Sequence, residues 1–423
     1  MPGTYYYYED AGGANSGGSQ GDAYDGTGSG TLPDASSGTT NLKNVITALK
    51  SGDILYIKRN DDGSDISIAS TTQLTLRSTD GPTRFDDGGT SYGPTTIIGY
   101  DTDINTIPSV DRRPQVALGA GFLKWARGSG LIENVNFTGH YSGNAILQIQ
   151  TGSMIRRCRV IRNDTNAGAA IIATSNSTID SCEVISLETK TVETNPGSNT
   201  GFVVGLTDSS IINSVVESVN GVSGIVAKQA DVGAILVLNS IIKTNYFTSY
   251  GMLFQSGAYM RGTYIIGNIF DGNGVTGGAG VYLNAGAGSK NQGCPDFHNN
   301  IFLDYPTGIT ADDFFNLPIP SDTSTTPNTK GTSVSMGNFY HNCGVNSSFN
   351  REMDGTTLDI DPVPSRNTGD YTIVRNSSFG TAATQVQFKF GEVKGQSLFS
   401  RGVSGSNTTL PFLRVKGENS STF

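Results

Sequence analysis

One short apolar motif returns again and again through the middle of the chain. Leu131-Ile132-Glu133-Asn134-Val135-Asn136-Phe137 aligns with Met154-Ile155-Arg156-Arg157-Cys158-Arg159-Val160, and then with Thr178-Ile179-Asp180-Ser181-Cys182-Glu183-Val184. Further copies are Ser210-Ile211-Ile212-Asn213-Ser214-Val215-Val216 and Leu236-Val237-Leu238-Asn239-Ser240-Ile241-Ile242, with weaker ones ending in Asn268-Ile269-Phe270 and Asn300-Ile301-Phe302. The anchors Ile132, Ile155, Ile179, Ile211 and Val237 stand 23, 24, 32 and 26 residues apart. A second apolar run lies between copies, at 145–149, 170–173, 202–206, 224–227, 252–254 and 280–283. Two or three short strands per repeat, with no helical periodicity between them, fit a coiled parallel solenoid in which each turn stacks on the last.

Stacking turns every repeated position into a ladder with rungs about 4.8 Å apart. The Ile/Val column is expected inside. Asn134, Asn213, Asn239, Asn268 and Asn300 are expected to stack at one corner, where side-chain amides bond one another and the turn backbone. Glu133, Arg156 and Asp180 share an outward column, and their alternating signs read as a salt-bridge ladder rather than an acid and base pair. Cys158 and Cys182 also share a column; the separation permits a disulfide, and free thiols acting as small apolar fillers are the favoured reading.

Composition removes several classes. The formal charge is −9 and no basic run exceeds the pairs Arg112-Arg113 and Arg156-Arg157, so nucleic acid is not an expected partner. The 55 Gly come with only 15 Pro and no G-X-Y period, which excludes a collagen-like rod and fits disorder poorly. No apolar stretch approaches a membrane span, and the N-terminus lacks the basic and apolar regions of a secretory signal. Three His and four Cys without a C-x-x-C spacing leave no zinc site, and Asp10, Asp22 and Asp25 do not match a calcium loop, so no metal or cofactor is expected.

The repeats carry an I-x-N corner. They follow a helix ahead of Gly52-Asp53-Ile54-Leu55-Tyr56-Ile57 and a stretch Thr95-Thr96-Ile97-Ile98-Gly99-Tyr100 leading to Arg113-Pro114, and the region closes with Asp361-Pro362 and Gly369-Asp370-Tyr371-Thr372-Ile373. In these features the chain resembles the pectate-lyase-like right-handed parallel β-helix superfamily, over about residues 40–380. The resemblance implies an all-β fold, a right-handed parallel β-helix with a short N-terminal cap helix and a C-terminal β cap. Residues 1–40, with five acids and no Lys or Arg, read as an irregular acidic arm. The parallel β-helix is expected over 41–310, opened by a helix at 42–50 where Leu42, Val45, Ile46 and Leu49 fall at i, i+3, i+4 and i+7. Residues 311–360 read as a loop excursion, and 361–423 as a final coil and β cap, the latter from the alternation at 384–390.

The superfamily's substrate groove would run along 145–150, 170–174, 202–206, 224–228, 252–255 and 280–284. Those strands hold no carboxylate, and Lys228 is their one charged side chain. Glycoside hydrolysis needs two carboxyls about 5 to 10 Å apart, and β-elimination needs a base with cationic help. Catalytic candidates are therefore loop acids, Asp164, Glu188 and Glu193, for which a plain surface role is the preferred reading. His298 and His341 read as corner residues, and Tyr5 to Tyr8 as a cluster docked on a coil or a neighbouring subunit. The expectation is a non-catalytic structural or adhesive surface protein of a virion-like particle, such as a phage capsid decoration or spike. It would act at a virion or extracellular surface as a homotrimer, with the arm tying it to other virion or surface proteins. The alternative is a polysaccharide lyase or glycoside hydrolase acting on a surface glycan.

Overall fold

The computed structural model describes residues 4–373 apart from 11–16, 27, 51, 69–72, 78–93, 128–129, 141–144, 151, 164–167, 188–200, 220–222, 228–234, 246–248, 255–262, 274, 285–294, 312–334, 349–351, 354, 360 and 372. The chain divides into two compact units, Met1–Leu187 and Glu188–Phe423. Each is a right-handed parallel β-helix in which every coil gives one strand to each of three parallel sheets.

In unit 1 the first sheet runs Tyr5–Tyr8, Ile54–Lys58, Thr95–Tyr100, Gly130–Glu133, Met154–Arg156, Thr178–Asp180. The second runs Ile66–Ser67, Gln115–Ala117, Asn136–Gly139, Arg159–Arg162, Glu183–Ser186, and the third Gln73–Arg77, Phe122–Arg127, Leu147–Ile149, Ile171–Thr174. The expected inner column is present: Ile97, Ile132, Ile155 and Ile179 face Val116, Phe137, Val160 and Val184, with none more than 3% exposed. Burying each such side chain contributes about 1.5 to 3 kcal/mol.

Unit 2 repeats the plan. Its first sheet orders Ser210–Ile212, Leu236–Leu238, Tyr264–Ile266, Asp296–His298, Ser335–Met336 and Glu352–Met353. Its second orders Val215–Ser218, Ile241–Thr244, Ile269–Asp271, Ile301–Leu303, Phe339–His341 and Thr356–Leu358. The third orders Phe202–Thr207, Ser223–Ala227, Tyr250–Phe254, Ala279–Leu283, Thr307–Ala311 and Val345–Ser347. Inside, Phe270, Phe302 and Tyr340 stack on consecutive rungs with ring centroids 4.9 and 5.1 Å apart. Glycine makes room for them, since a Cβ on Gly280 would lie 2.4 Å from the Phe302 ring and one on Gly308 2.3 Å from Tyr340.

The corner between the first and second sheets divides the expected asparagine column in two. Asn134, Asn213 and Asn239 hold the left-handed position, at φ 58, 51 and 50°, a place shared by Gly267 and Asn299. The residue one step later points inward, and there Asn268, Asn300 and Asn338 form the amide ladder. Asn268 Nδ2 donates to Asn300 Oδ1 and Asn300 Nδ2 to Asn338 Oδ1, each at 3.0 Å. The same oxygens accept the Asn268 and Asn300 backbone N–H groups, also at 3.0 Å, so the ladder satisfies corner backbone that water cannot reach.

Three regions differ from expectation. The first 40 residues are less irregular than an arm: Tyr5–Tyr8 forms a rung on Ile54–Lys58, and Tyr24 N donates to Tyr7 O at 2.9 Å from the other side. A small hairpin, Ser29–Thr31 with Ser37–Thr39, follows, and then the cap helix Leu42–Ala48, whose N-cap Asn41 accepts from Asn44 N at 2.9 Å. Tyr5 to Tyr8, expected to dock on a coil or a neighbouring subunit, docks on a coil of its own chain with Tyr8 buried, and only its strand form goes unmarked, since four identical tyrosines carry no alternation. Within 311–360 the coil continues, because strands from Ser335 to Leu358 extend all three sheets of unit 2. Residues 361–373 fold as a strap on the outer face of the second sheet, while 374–423, with the 384–390 alternation, lie outside the described residues. Among the described residues no helix is long and apolar enough to cross a membrane.

Candidate functional site

The third sheet of unit 2 carries a pair of stacked, partly exposed tyrosines. Val204, Ile225, Met252, Val281 and Ile309 form its buried inner column. Val226, Leu253, Tyr282 and Thr310 stand in register on the opposite side. Tyr250 and Tyr282, on adjacent strands, stack at 5.2 Å with their planes 27° apart, and both remain half-buried. Val226 and Leu253 are only 4% exposed, so among the described residues the accessible part of this face is Tyr250 and Tyr282 with the hydroxyls of Thr307 and Thr310. Tyr282 lies within a groove strand and Tyr250 two residues before one, and tyrosines recurring in consecutive repeats are the sequence signal of such a stack.

The loop candidates Asp164, Glu188 and Glu193, like Lys228, lie outside the described residues. His298 and His341 lie on strands rather than corners, and His341 Nδ1 is 2.9 Å from the Leu358 carbonyl.

On the first sheet of unit 1, Arg156 donates to Glu133 Oε1 through Nε at 3.1 Å and Nη2 at 2.8 Å, and Arg157 reaches the same oxygen. Around the corner Arg159 bridges Glu183 at 2.6 Å and Asp111 at 3.0 Å. Each of these carboxylates is engaged by an arginine, the arrangement of a salt-bridge ladder. Cys158 and Cys182 are free and buried, and burial holds the Cys182 thiol well above its ordinary value. Among the described residues, no group of three or more His, Cys, Asp or Glu is placed to hold a metal ion.

A second charged cluster fastens the strap in unit 2. Tyr371 Oη donates to Asp271 Oδ2 at 2.5 Å, Arg366 contacts both Asp304 and Asp361, and its Nε lies 3.7 Å from Asp271. Lys243 pairs with Glu217 at 2.9 Å and lies 5.8 Å from the centre of the Tyr371 ring. Burial raises the Asp271 carboxyl above its ordinary value, against the pull of Tyr371 and Arg366. A raised carboxyl often marks catalysis, yet this one is 5% exposed beneath the strap, a lock rather than a cleft.

No protein-family model matches the chain, and no curated protein matches it. Among solved structures it is similar to an alginate lyase from Paenibacillus sp. str. FPU-7, at 12% identity and a TM-score of 0.39, covering 78% of this chain and 94% of that one. It is also similar to a mannuronic acid specific polysaccharide family 6 lyase from human gut microbiota, at 10% identity and TM-score 0.30, over 76% and 89% of the two chains. A third is the GH136 lacto-N-biosidase from Eubacterium ramulus, at 10% identity and TM-score 0.24, over 84% and 68%.

The non-catalytic virion reading is corrected here. The similar structures named are polysaccharide lyases and a glycoside hydrolase, none of them a virion protein. From Tyr5 to Tyr8 the N-terminal segment is paired within its own chain.

Proposed function

We propose that this chain is a carbohydrate-active β-helix that binds a glycan along the third-sheet face of unit 2 and cleaves it, as a polysaccharide lyase or a glycoside hydrolase. The Tyr250 and Tyr282 stack carries the reading. A sugar ring has an apolar C–H face and a rim of hydroxyls. A tyrosine ring face suits the former, and the hydroxyls of Thr307 and Thr310 suit the latter. Glu188 and Glu193 belong to the chain segment between the strands Glu183–Ser186 and Phe202–Thr207, and they are the acid and base candidates for cleavage.

The test is a glycan array and a cleavage assay with the full chain. Tyr250→Ala and Tyr282→Ala should each weaken glycan retention about tenfold, the loss of roughly 1.4 kcal/mol of stacking and burial. Glu188→Gln and Glu193→Gln should abolish release of new reducing ends while binding persists. Unsaturated ends would identify a lyase and saturated ends a hydrolase. Retention that survives both tyrosine changes, or no retained glycan at all, would overturn the reading.

A further inference from the structure

In unit 1 two cysteines stand at a corner position where unit 2 carries serine. Arg156 pairs with Asp180 and Arg159 with Glu183, so Cys158 and Cys182 hold the same buried place on consecutive rungs. Each follows a left-handed residue, Arg157 or Ser181, as Ser214 and Ser240 follow Asn213 and Asn239 in unit 2. Each thiol donates to the carbonyl two residues back, Cys158 to Arg156 O at 3.3 Å and Cys182 to Asp180 O at 3.2 Å. Ser214 and Ser240 make the equivalent bonds, to Ile212 O at 2.7 Å and Leu238 O at 2.9 Å. A hydroxyl therefore serves this corner as well as a thiol does, and what two stacked cysteines add is sulfur chemistry.

The geometry brings the two sulfurs together. Cys182 Sγ also lies 3.6 Å from Ile155 O, a carbonyl of the rung that carries Cys158, and the two thiols hydrogen-bond to each other. Rungs about 4.8 Å apart fall inside the Cα separation that a disulfide spans, about 4.4 to 6.8 Å. Burial opposes ionisation of Cys158, but the bonds from Cys182 and the Val135 backbone, with the charge of Arg113, outweigh it and hold that thiol below its ordinary value. Cys158 is thus the nucleophile of the pair and Cys182 its resolving partner. Cys343, in unit 2, is an internal contrast, since burial pushes its thiol up to about 11.

We propose that Cys158 and Cys182 are a modification site, at which a hydroperoxide forms a disulfide that clamps two successive coils of unit 1. The Cys158 thiolate attacks one peroxide oxygen, the O–O bond breaks, and Cys158 becomes a sulfenic acid while the other oxygen leaves as water or an alcohol. The Cys182 sulfur then attacks the sulfenic sulfur, and the hydroxyl departs with the Cys182 proton as water. Two thiols lose two electrons in all, and one peroxide gains them. Because Cys158 is 0% and Cys182 3% exposed, the oxidant must be small.

The test exposes the full folded chain to hydrogen peroxide, quenches it, alkylates in denaturant and maps the peptides by mass. Cys158 and Cys182 should appear as one linked species lacking two hydrogens and restored by a dithiol reductant, while Cys343 remains alkylated. The link joins residues 24 positions apart (182 − 158 = 24), so urea unfolding followed at Trp125, the sole tryptophan, should shift toward the folded state by about a hundredfold. Cys182→Ser, the residue type of the unit 2 corner, should show neither link nor shift, and Cys182→Ala replaces it if that variant does not fold. Both thiols still alkylatable after peroxide, a link to Cys294 or Cys343 instead, or Cys158 passing to a sulfinic acid unlinked would overturn the proposal. So would a gain in urea resistance that the Cys182→Ser variant shares.

Discussion

The outer column of the second sheet is polar in one unit and apolar in the other. In unit 1 it reads Gln115, Asn136, Arg159, Glu183, and ion pairs hold its charged members at the surface. In unit 2 the equivalent column reads Val215, Ile241, Ile269, Ile301, Phe339, and from Ile241 onward it is buried with Val363, Tyr371 and Ile373 of the strap. Backbone bonding between rungs is the same in both, so the coil itself is indifferent to what its outer side chains are. The outer column records what lies on it: the polar turn at Val110–Arg112 in one case, returning apolar chain in the other.

The sharpest way to break this contrast is Ile269→Asp, which puts a carboxylate into the strapped cluster. It should cost about 4 kcal/mol or more in urea unfolding and release the strap, seen as faster exchange at 363–371. Arg366→Met should cost about 3 kcal/mol, because Asp271, Asp304 and Asp361 would then face one another with their shared cation gone. Asn300→Ala removes the middle of the amide ladder and leaves corner N–H groups unpaired, for about 2 kcal/mol by the same measurement. In unit 1 Arg159→Ala should cost only about 1 kcal/mol, and less in high salt, since its ion pairs are open to solvent on one side.

The finest distinction is one of pH. The folded Asp271 carboxyl titrates above its ordinary value near 3.8, because burial penalises its charge. Its contribution to stability is thus complete below that ordinary value and is lost as pH rises through the raised one. Asp271→Asn cannot lose it. The stability of the variant relative to the parent should therefore climb with pH across that window and level off above it. A pH series of urea unfolding curves checks this, and a difference that falls with rising pH would show that Arg366 outweighs burial.

Much of the architecture was legible because it is local and periodic. The inward Ile/Val columns, the cap helix at Leu42–Ala48 and the pairing of Glu133 with Arg156 follow from spacing and from rungs stacked in register. What lies inside at the corner was not legible, for a plain reason: a shift of one residue turns a side chain from one face to the other, and both candidate positions hold asparagine. The left-handed corner and the interior ladder want the same residue for different causes, positive φ in one and amide pairing in the other.

The remaining features depend on residues far apart along the chain. Tyr5–Tyr8 becomes a rung only by meeting Ile54–Lys58, and Tyr371 reaches Asp271 across 100 residues. Tyr250 and Tyr282 become a platform only because one coil stacks on the next. Repetition along the chain was enough to specify the coil, since every rung buries the same kind of side chain in the same place. Which faces would be covered, and by what, was settled by contacts that form only after the coil exists, and no spacing within a repeat encodes them.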